Sequence, residues 1–183
     1  VFPPDRESRD SLTDSDISPK LALQWQAAEQ IMVYASYVSG YKGPAFDTTL
    51  VSRDTFVEPE TSDAYEIGMK SSWFDNRLIL NIAAFYAEYT DFQAQAFIDQ
   101  NTQDQLPGDF LLVNAGQVTT QGVEIEFISQ LTDNWNLSGG LAYTDGKIDD
   151  YKAGNCSNGQ KFRMECPPEG FQDLSGGELP YTP

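Results

Sequence analysis

The feature that most constrains the fold of this chain is residues 61–95, which form two long strands around a very short turn. Side chains in a strand point to opposite faces with a period of two, and the first half alternates in that way. The apolar set is Tyr65, Ile67, Met69 and Trp73, and the other set is Ala64, Glu66, Gly68, Lys70 and Ser72. Short polar residues at 75–77 supply the turn, and the return strand runs from residue 78 to about residue 95. Strands in soluble domains most often have about 5–6 residues. The hairpin therefore predicts a long wall with one face suited to lipid and the other to water.

Residues 31–39 are predicted as a strand with less distinct faces, because apolar or aromatic residues occupy most of its positions. By composition a helix competes over residues 20–38, but no helical stripe holds through residues 24–30. Three further segments show strand-like alternation, namely residues 17–26, 117–129 and 135–144. In the last segment Trp135 and Tyr143 bracket an apolar face, as interfacial aromatic girdles do in outer-membrane barrels. Taken alone, that segment fits an ordinary sandwich strand with aromatic ends equally well. In residues 117–129, Glu124 and Glu126 share one face, and two carboxylates cannot lie in a dry core without partners. These strands predict an all-β fold with one face open to water.

The connections between the strands alternate strictly in length. Those near residues 27–30, 75–77 and 131–134 are short, whereas those near residues 40–60, 99–112 and 145–183 are long. Outer-membrane barrels have short periplasmic turns and longer extracellular loops, and a β-sandwich has no reason for this pattern. We therefore expect the short turns to face the periplasm and the long loops to lie outside the cell. Residues 1–16, rich in charge and turn formers, are interpreted as the end of another exposed loop.

Composition excludes several classes of function. The 11 basic and 28 acidic residues give a formal charge of −17, which argues against nucleic-acid binding. The chain has no histidine, which removes Ser-His-Asp and Cys-His catalysis and His-ligated zinc or haem. It also has no apolar run of about 18 residues, the length that a transmembrane helix needs. We expect no catalytic residue, metal site or cofactor. A glycosidase that uses Glu124 and Glu126 as an acid–base pair is kept as a minor alternative.

The two cysteines, Cys156 and Cys166, lie ten residues apart in a segment rich in Gly, Asn, Ser and Pro. This context favours a disulfide in an oxidising compartment, with two free thiols in a loop as the alternative. Closing a loop of about ten residues would stabilise it by about 3 kcal/mol at most in the chain-entropy model.

Several segments resemble TonB-dependent outer-membrane receptors in sequence, order and spacing. Residues 60–70 read ETSDAYEIGMK and resemble the PETSDSYELGLK segment of that family. The other segments that carry the resemblance are residues 34–37 (YASY), 40–43 (GYKG), 80–86 (LNIAAFY), 89–93 (YTDFQ), 114–116 (NAG) and 122–126 (GVEIE). The resemblance covers most of residues 15–183.

The resemblance implies an antiparallel up-and-down transmembrane barrel of about 22 strands with a plugged lumen. Residues 1–183 would supply about six of these strands as three hairpins with long extracellular loops, and the plug domain and remaining strands would lie elsewhere. A six-strand sheet alone would expose two edges and an apolar face, so we expect that it is not stable as a soluble monomer. The implied function is active uptake of a scarce ligand across the bacterial outer membrane, most often a ferric siderophore. The implied partners are outer-membrane lipid, the small ligand and, through the plug, the TonB complex. A soluble carbohydrate-binding β-sandwich and a passive porin are the alternatives.

Two groups of residues are candidates for functional contacts. Those expected to face the lumen are Glu66, Lys70, Glu124 and Glu126. Aromatic and cationic side chains on the long loops are candidates for ligand contact, or else they pack the loops against one another; they are Tyr41, Lys42, Phe46, Tyr151, Phe162 and Arg163. The outward apolar residues expected to contact lipid include Ile67, Met69, Val123, Ile125, Leu137 and Leu141.

Overall fold

The computed structural model describes residues 13–47, 55–98, 109–152, 154–167 and 171–179. In chain order the elements are β1 (Lys20–Ala28), β2 (Ile31–Lys42), β3 (Ala45–Asp47), β4 (Thr55–Val57), β5 (Glu60–Trp73), β6 (Leu78–Thr90), β7 (Gln93–Ile98), β8 (Asp109–Asn114), β9 (Gln117–Thr132), β10 (Trp135–Asp150), β11 (Gly154–Asn155), α1 (Asn158–Phe162) and β12 (Phe171–Gln172). Within these ranges no helix has the length and apolar character needed to cross a membrane.

Six strands form one antiparallel sheet in the order β1-β2-β5-β6-β9-β10. Each of these strands pairs with the sheet strand that precedes or follows it along the chain, so the sheet is three hairpins laid side by side. The all-β, up-and-down fold and its six predicted strands are confirmed. The sheet does not close into a barrel within the described residues, because β1 and β10 are its two edges.

The strand ends differ from the predicted ones. β10 continues to Asp150 instead of ending at residue 144, and β6 ends at Thr90, before β7 begins at Gln93. β1 is shifted, since it covers residues 20–28 and not residues 17–26. The apolar alternation stops near residue 144, but the backbone ladder continues until Asp150 pairs with Gln117. The alternation of apolar and polar residues therefore marks the extent of the apolar band, and it does not mark where the strand ends.

The three short connections lie at one end of the sheet. In the turn between β5 and β6, Asp75 and Asn76 have φ of 56° and 67°, and the Arg77 N–H donates to the Phe74 carbonyl at 3.1 Å. Positive φ at both central residues defines the tight hairpin turn whose twist matches that of the strands, and Phe74 before them also has a positive φ, of 55°. The Arg77 guanidinium also reaches the Asp133 carboxylate of the next turn at 3.1 Å. Neighbouring turns are thus linked along this end.

The other end carries the long connections, which contain structure of their own. Three two-stranded sheets form there, β3–β4, β7–β8 and β11–β12, together with the five-residue helix α1. The most buried apolar residues of the described chain are Val57, Ala87, Ala115, Val118 and Cys156. Most of them belong to this end, so tight packing occurs in and under the loops. Residues 1–12 and 99–108, which belong to two of the predicted loops, lie outside the described residues.

One face of the six-stranded sheet is apolar across all its strands. Ile82, for example, is paired with Met69 on one side and with Ile125 on the other, and Ile125 is paired with Leu141. These side chains are not covered by protein, since Ile67 is 64 % exposed and Leu141 is 74 % exposed. Such a large exposed apolar surface marks contact with a partner or with lipid.

Aromatic residues border this apolar face at both ends. The tyrosines toward the loop end are Tyr37, Tyr65, Tyr86 and Tyr143, and the tryptophans toward the turn end are Trp25, Trp73 and Trp135. The rings form a connected row in part, with centroids 5.2 Å apart for Tyr37 and Tyr65 and 6.5 Å apart for Tyr65 and Tyr86. Transmembrane barrels carry such aromatic girdles where the apolar band meets water.

Ser71 is a polar residue on the apolar face, and its hydrogen bonds explain how it is accommodated. Its hydroxyl donates to the Leu80 carbonyl at 2.9 Å and accepts the Trp73 indole N–H at 3.0 Å. Polar groups in a lipid environment must find partners within the protein, and Ser71 does so.

Candidate functional site

The four charged residues predicted to face the lumen share the face opposite the apolar one. Along one row of the sheet, Lys70 pairs with Asn81, which pairs with Glu126. Glu66 lies four residues before Lys70 on β5, and Glu124 lies two residues before Glu126 on β9. Together they line a shallow hollow whose other walls include Tyr34 and Asn81. Three carboxylates and one ammonium make this part of the face acidic.

Two aromatic rings lie flat on this polar face because a glycine stands opposite each of them. A Cβ at Gly68 would lie 2.5 Å from the ring of Tyr34, and one at Gly122 would lie 2.7 Å from the ring of Phe85. Both rings face their glycine directly in the strand register. Placing an aromatic ring over a glycine in the neighbouring strand covers backbone that the glycine leaves bare.

Tyr34 belongs to this site, although the sequence analysis did not single it out. The Tyr34 hydroxyl donates a hydrogen bond to the Glu66 carboxylate, and the Glu124 carboxylate interacts with it electrostatically. The Lys70 ammonium lies 5.9 Å from the centroid of the Tyr34 ring. The sequence signal that could have revealed this residue is a tyrosine on one strand whose pairing partner on the neighbouring strand is a glycine, as Gly68 is for Tyr34. The site therefore combines carboxylates, an ammonium and a phenol on three adjoining strands.

The loop residues proposed for ligand contact lie on separate segments. Tyr41, at the end of β2, donates its hydroxyl to Asp14, and Lys42 pairs with Glu60 at 3.9 Å. Phe46 belongs to β3, and its side chain lies outside the described part of the chain.

The other loop candidates follow β10. Tyr151 is half-buried, and burial raises the pKa of its phenol. Phe162 ends α1 and is 89 % exposed, while the Arg163 guanidinium contacts the Glu165 carboxylate at 2.9 Å. Of these candidates, Phe162 is the one whose side chain is fully presented to solvent.

The segment that carries Phe162 is held in a closed loop. Cys156 and Cys166 form a disulfide, with their Cα atoms 5.9 Å apart. At the start of α1, the Gln160 N–H donates to the Ser157 hydroxyl at 3.3 Å and the Ser157 N–H donates to the Gln160 side chain at 2.9 Å. This reciprocal pair is a capping box. The Gln160 amide also donates to Gln172 of β12 at 2.8 Å, so the loop is fixed to the returning chain.

After β12 the chain turns back along β10. The Asp173 carboxylate accepts hydrogen bonds from the Ser175 hydroxyl and, at 2.9 Å, from the Ser175 N–H, and these bonds lower the pKa of Asp173. The Ile148 N–H then donates to the Gly177 carbonyl at 2.9 Å. Within the described ranges, no group of three or more Cys, Asp or Glu side chains is arranged to hold a metal ion.

Long antiparallel strands, one apolar face bordered by aromatic rows and one acidic face define a segment of transmembrane β-barrel wall. A family model described as TonB dependent receptor-like, beta-barrel, matches residues 2–183. The chain belongs to this family. The resemblance seen in the sequence is thereby confirmed, and the chain is part of an outer-membrane barrel. The family is one of receptors and transporters.

Individual relatives agree with this assignment. The chain is 23 % identical over 175 residues to a probable TonB-dependent siderophore receptor, PiuA, of Acinetobacter baumannii, covering 91 % of this chain and 21 % of that protein. Two solved structures share its fold. The copper transporter OprC has a TM-score of 0.59 at 18 % identity, covering 72 % of this chain and 20 % of OprC. The ferric yersiniabactin uptake receptor FyuA of Yersinia pestis has a TM-score of 0.56 at 21 % identity, covering 70 % of this chain and 18 % of FyuA. The chain thus spans about a fifth of the length of the curated relatives that it matches.

Proposed function

We propose that this chain forms part of the barrel wall and the extracellular loops of a receptor that takes up a ferric siderophore across the outer membrane. The observation that carries the proposal is the pairing of an apolar face, bordered by aromatic rows, with an acidic face on the same six strands. That arrangement suits a wall between lipid and an aqueous lumen, and family membership supplies the receptor role.

The choice of a ferric siderophore rests on the relatives. PiuA is described as a siderophore receptor and FyuA as a receptor for ferric yersiniabactin, whereas OprC is described as a copper transporter. The names of FyuA and OprC contain a metal, and that of PiuA contains a siderophore, which is an iron chelator. In the proposed role the chain makes and breaks no covalent bond, so it is not an enzyme.

The two faces of the sheet would have different partners. The apolar side chains, such as Ile67 and Leu141, would contact lipid. The acidic face would line the lumen and meet a plug domain, through which the TonB complex would supply energy; its residues are Glu66, Lys70, Glu124 and Glu126. Residues 1–183 would then be a partial barrel domain, with the plug and the remaining strands supplied by the rest of the protein.

The loop residues would meet the ligand from outside. Phe162 is the strongest of these candidates, because it is exposed on a loop that the disulfide and the capping box hold in shape. Preorganised loops lose less conformational entropy on binding. The remaining candidates are Tyr41, Lys42, Phe46, Tyr151 and Arg163.

The test is uptake by living cells. The complete gene would be expressed in an iron-starved bacterium that lacks its own siderophore receptors, and the uptake of ⁵⁵Fe-loaded ferrioxamine, ⁵⁵Fe-loaded pyoverdine and ⁶⁴Cu²⁺ would be measured. We expect saturable uptake of an iron chelate that disappears when tonB is deleted. Uptake that persists without TonB would identify a passive porin, and TonB-dependent uptake of copper alone would replace the iron chelate as the ligand.

A further inference from the structure

We propose that Gln93 and Asn114 are positioning residues that join two neighbouring extracellular loops into one unit. The first loop lies between β2 and β5, and its described residues are 43–47 and 55–59. The second loop lies between β6 and β9, and its described residues are 91–98 and 109–116. We call the two loops together the loop unit. The proposal rests on the proposed function only in placing this end of the sheet outside the cell.

Gln93 makes the first link between the loops. It is 6 % exposed, and its side-chain amide donates to the carbonyl oxygens of Gly43 and Glu58, each at 3.0 Å. Its backbone N–H donates to the Glu60 carboxylate at 2.7 Å. A single buried side chain on the second loop thus binds both ends of the first loop.

Asn114 makes the second link, about twenty residues further along the chain. Its side-chain N–H₂ donates to the Glu58 carbonyl at 3.0 Å and to the Asp91 carbonyl at 2.7 Å. Its side-chain oxygen accepts the Glu58 N–H at 2.9 Å. Asn114 therefore closes the base of its own loop and holds the first loop with the same amide.

Apolar packing and backbone bonds surround these two amides. Val57 of the first loop is 1 % exposed, and Ala115 of the second is 6 % exposed. The Phe92 N–H donates to the Gly116 carbonyl at 3.0 Å, and the Ala115 N–H donates to the Phe92 carbonyl at 2.6 Å. Gln93 itself is buried, so water does not replace its lost hydrogen bonds without a cost in free energy, whereas the hydrogen bonds of Asn114 lie closer to solvent.

The loops need such a joint because neither belongs to the main sheet. The hairpins β3–β4 and β7–β8 are separate two-stranded sheets, and an isolated two-stranded hairpin is marginally stable in water. The side chains of Gln93 and Asn114 bind backbone carbonyls, so the joint does not depend on the side chains at the loop tips. The tips can thus differ in sequence while the loop unit keeps its position.

Amide hydrogen exchange of the receptor, purified in detergent after expression from its complete gene, tests the joint without any ligand. Gln93→Ala should accelerate exchange by about ten-fold or more in both hairpins, β3–β4 as well as β7–β8, because the Gly43 and Glu58 carbonyls of the first loop lose the buried donor that links them to the second loop. The rates in β5 and β6 should not change. Acceleration confined to β7–β8 would overturn the proposal.

Gln95→Ala is the matched control, since Gln95 is an exposed glutamine two residues further along the same strand. In the Gln95→Ala variant, the amide exchange rates of both hairpins should equal those of the unchanged receptor. Equal effects of Gln93→Ala and Gln95→Ala would also overturn the proposal. Asn114→Asp is the second variant, because it keeps the size and the acceptor oxygen but removes the donors to Glu58 and Asp91. Asn114→Asp should accelerate amide exchange in both hairpins even if Gln93→Ala prevents folding. Unchanged exchange in this variant would contradict the proposal.

Uptake kinetics test separately whether Gln93 positions the loops for ligand binding. With ⁵⁵Fe-loaded ferrioxamine or pyoverdine, whichever the unchanged receptor takes up, Gln93→Ala should raise the half-saturation concentration by several-fold and leave the maximal rate unchanged. A fall in the maximal rate alone would contradict a positioning role. If the unchanged receptor takes up neither probe, the proposed function fails, and the exchange measurement still decides whether the loops form one unit.

Discussion

Adjacent residues of one strand lie on opposite faces of this sheet. On β9, Ile125 lies between Ile82 and Leu141 of the neighbouring strands, whereas Glu124 lies between Ala83 and Ala142. A shift of one residue in register would exchange the two environments. The position of a charge on such a strand therefore matters more than the number of charges.

The first prediction follows from this contrast. Ile125→Arg should destabilise the receptor by about 2–4 kcal/mol in lipid, because it places a charge in the apolar band, whereas Glu124→Arg should have little effect. Urea unfolding of the complete receptor in phospholipid vesicles measures both variants. Equal losses of stability would show that the faces have been assigned wrongly.

A second prediction concerns Gly116, at the base of the loop unit. Its φ is +66°, and a Cβ there would lie 1.9 Å from the Asp150 carbonyl oxygen. Gly116→Ala should therefore lower stability by about 1–3 kcal/mol from backbone conformation alone, with a further loss from the clash. Gly43→Ala is the control, because the nearest atom to its added Cβ is 4.0 Å away. Thermal unfolding of the two variants should differ, and identical midpoints would contradict the geometry.

At the scale of elements, the disulfide loop behaves as a separate small unit. Cys156 is buried, the capping box starts α1, and Gln160 contacts Gln172 of β12. These contacts are local, so changes in the loop need not reach the six-stranded sheet.

The third prediction tests this independence. Replacing both cysteines, Cys156→Ser with Cys166→Ser, should remove about 3 kcal/mol at most from the loop and leave the sheet intact. Limited trypsin digestion should then cleave faster after Arg163, which is exposed on this loop. The heat-modifiable electrophoretic mobility of the folded barrel should not change. Cleavage at an unchanged rate would mean that the disulfide does not hold the loop.

The sequence predicts the strands better than the loops, for a physical reason. The alternation of residues 65–73 or 135–144 is imposed by lipid on one face, so these strands are visible in the pattern, whereas residues 31–39 are mostly apolar or aromatic and alternate less clearly. Beyond the band, both faces meet water, and the extension of β10 to Asp150 leaves no such signal. The links made by Gln93 and Asn114 join residues up to 56 positions apart, and no local pattern encodes them.

For the molecule as a whole, the open sheet implies dependence on its surroundings. β1 and β10 each leave an edge that the other described strands of the sheet do not cover, and none of the described residues covers the apolar face. Unpaired edges and exposed apolar surface both promote association between chains.

The fourth prediction is that residues 1–183 expressed alone will not yield a stable soluble monomer. Size-exclusion chromatography without detergent should give aggregates, whereas mild detergent should retain dispersed protein. A monodisperse peak without detergent, with the strand content of the folded sheet by circular dichroism, would favour a soluble sandwich instead.

The aromatic rows also fix which bilayer this wall can occupy without strain. Tyr65 and Trp73 are eight residues apart on β5, which is about 26 Å along the strand at about 3.3 Å per residue. A strand tilt of about 40° reduces this to about 20 Å along the membrane normal. A typical hydrocarbon core is about 30 Å thick, so the protein matches a bilayer thinner than average, as the bacterial outer membrane is. In a thicker membrane the surrounding acyl chains would have to compress, and this hydrophobic mismatch disfavours insertion into thicker bilayers.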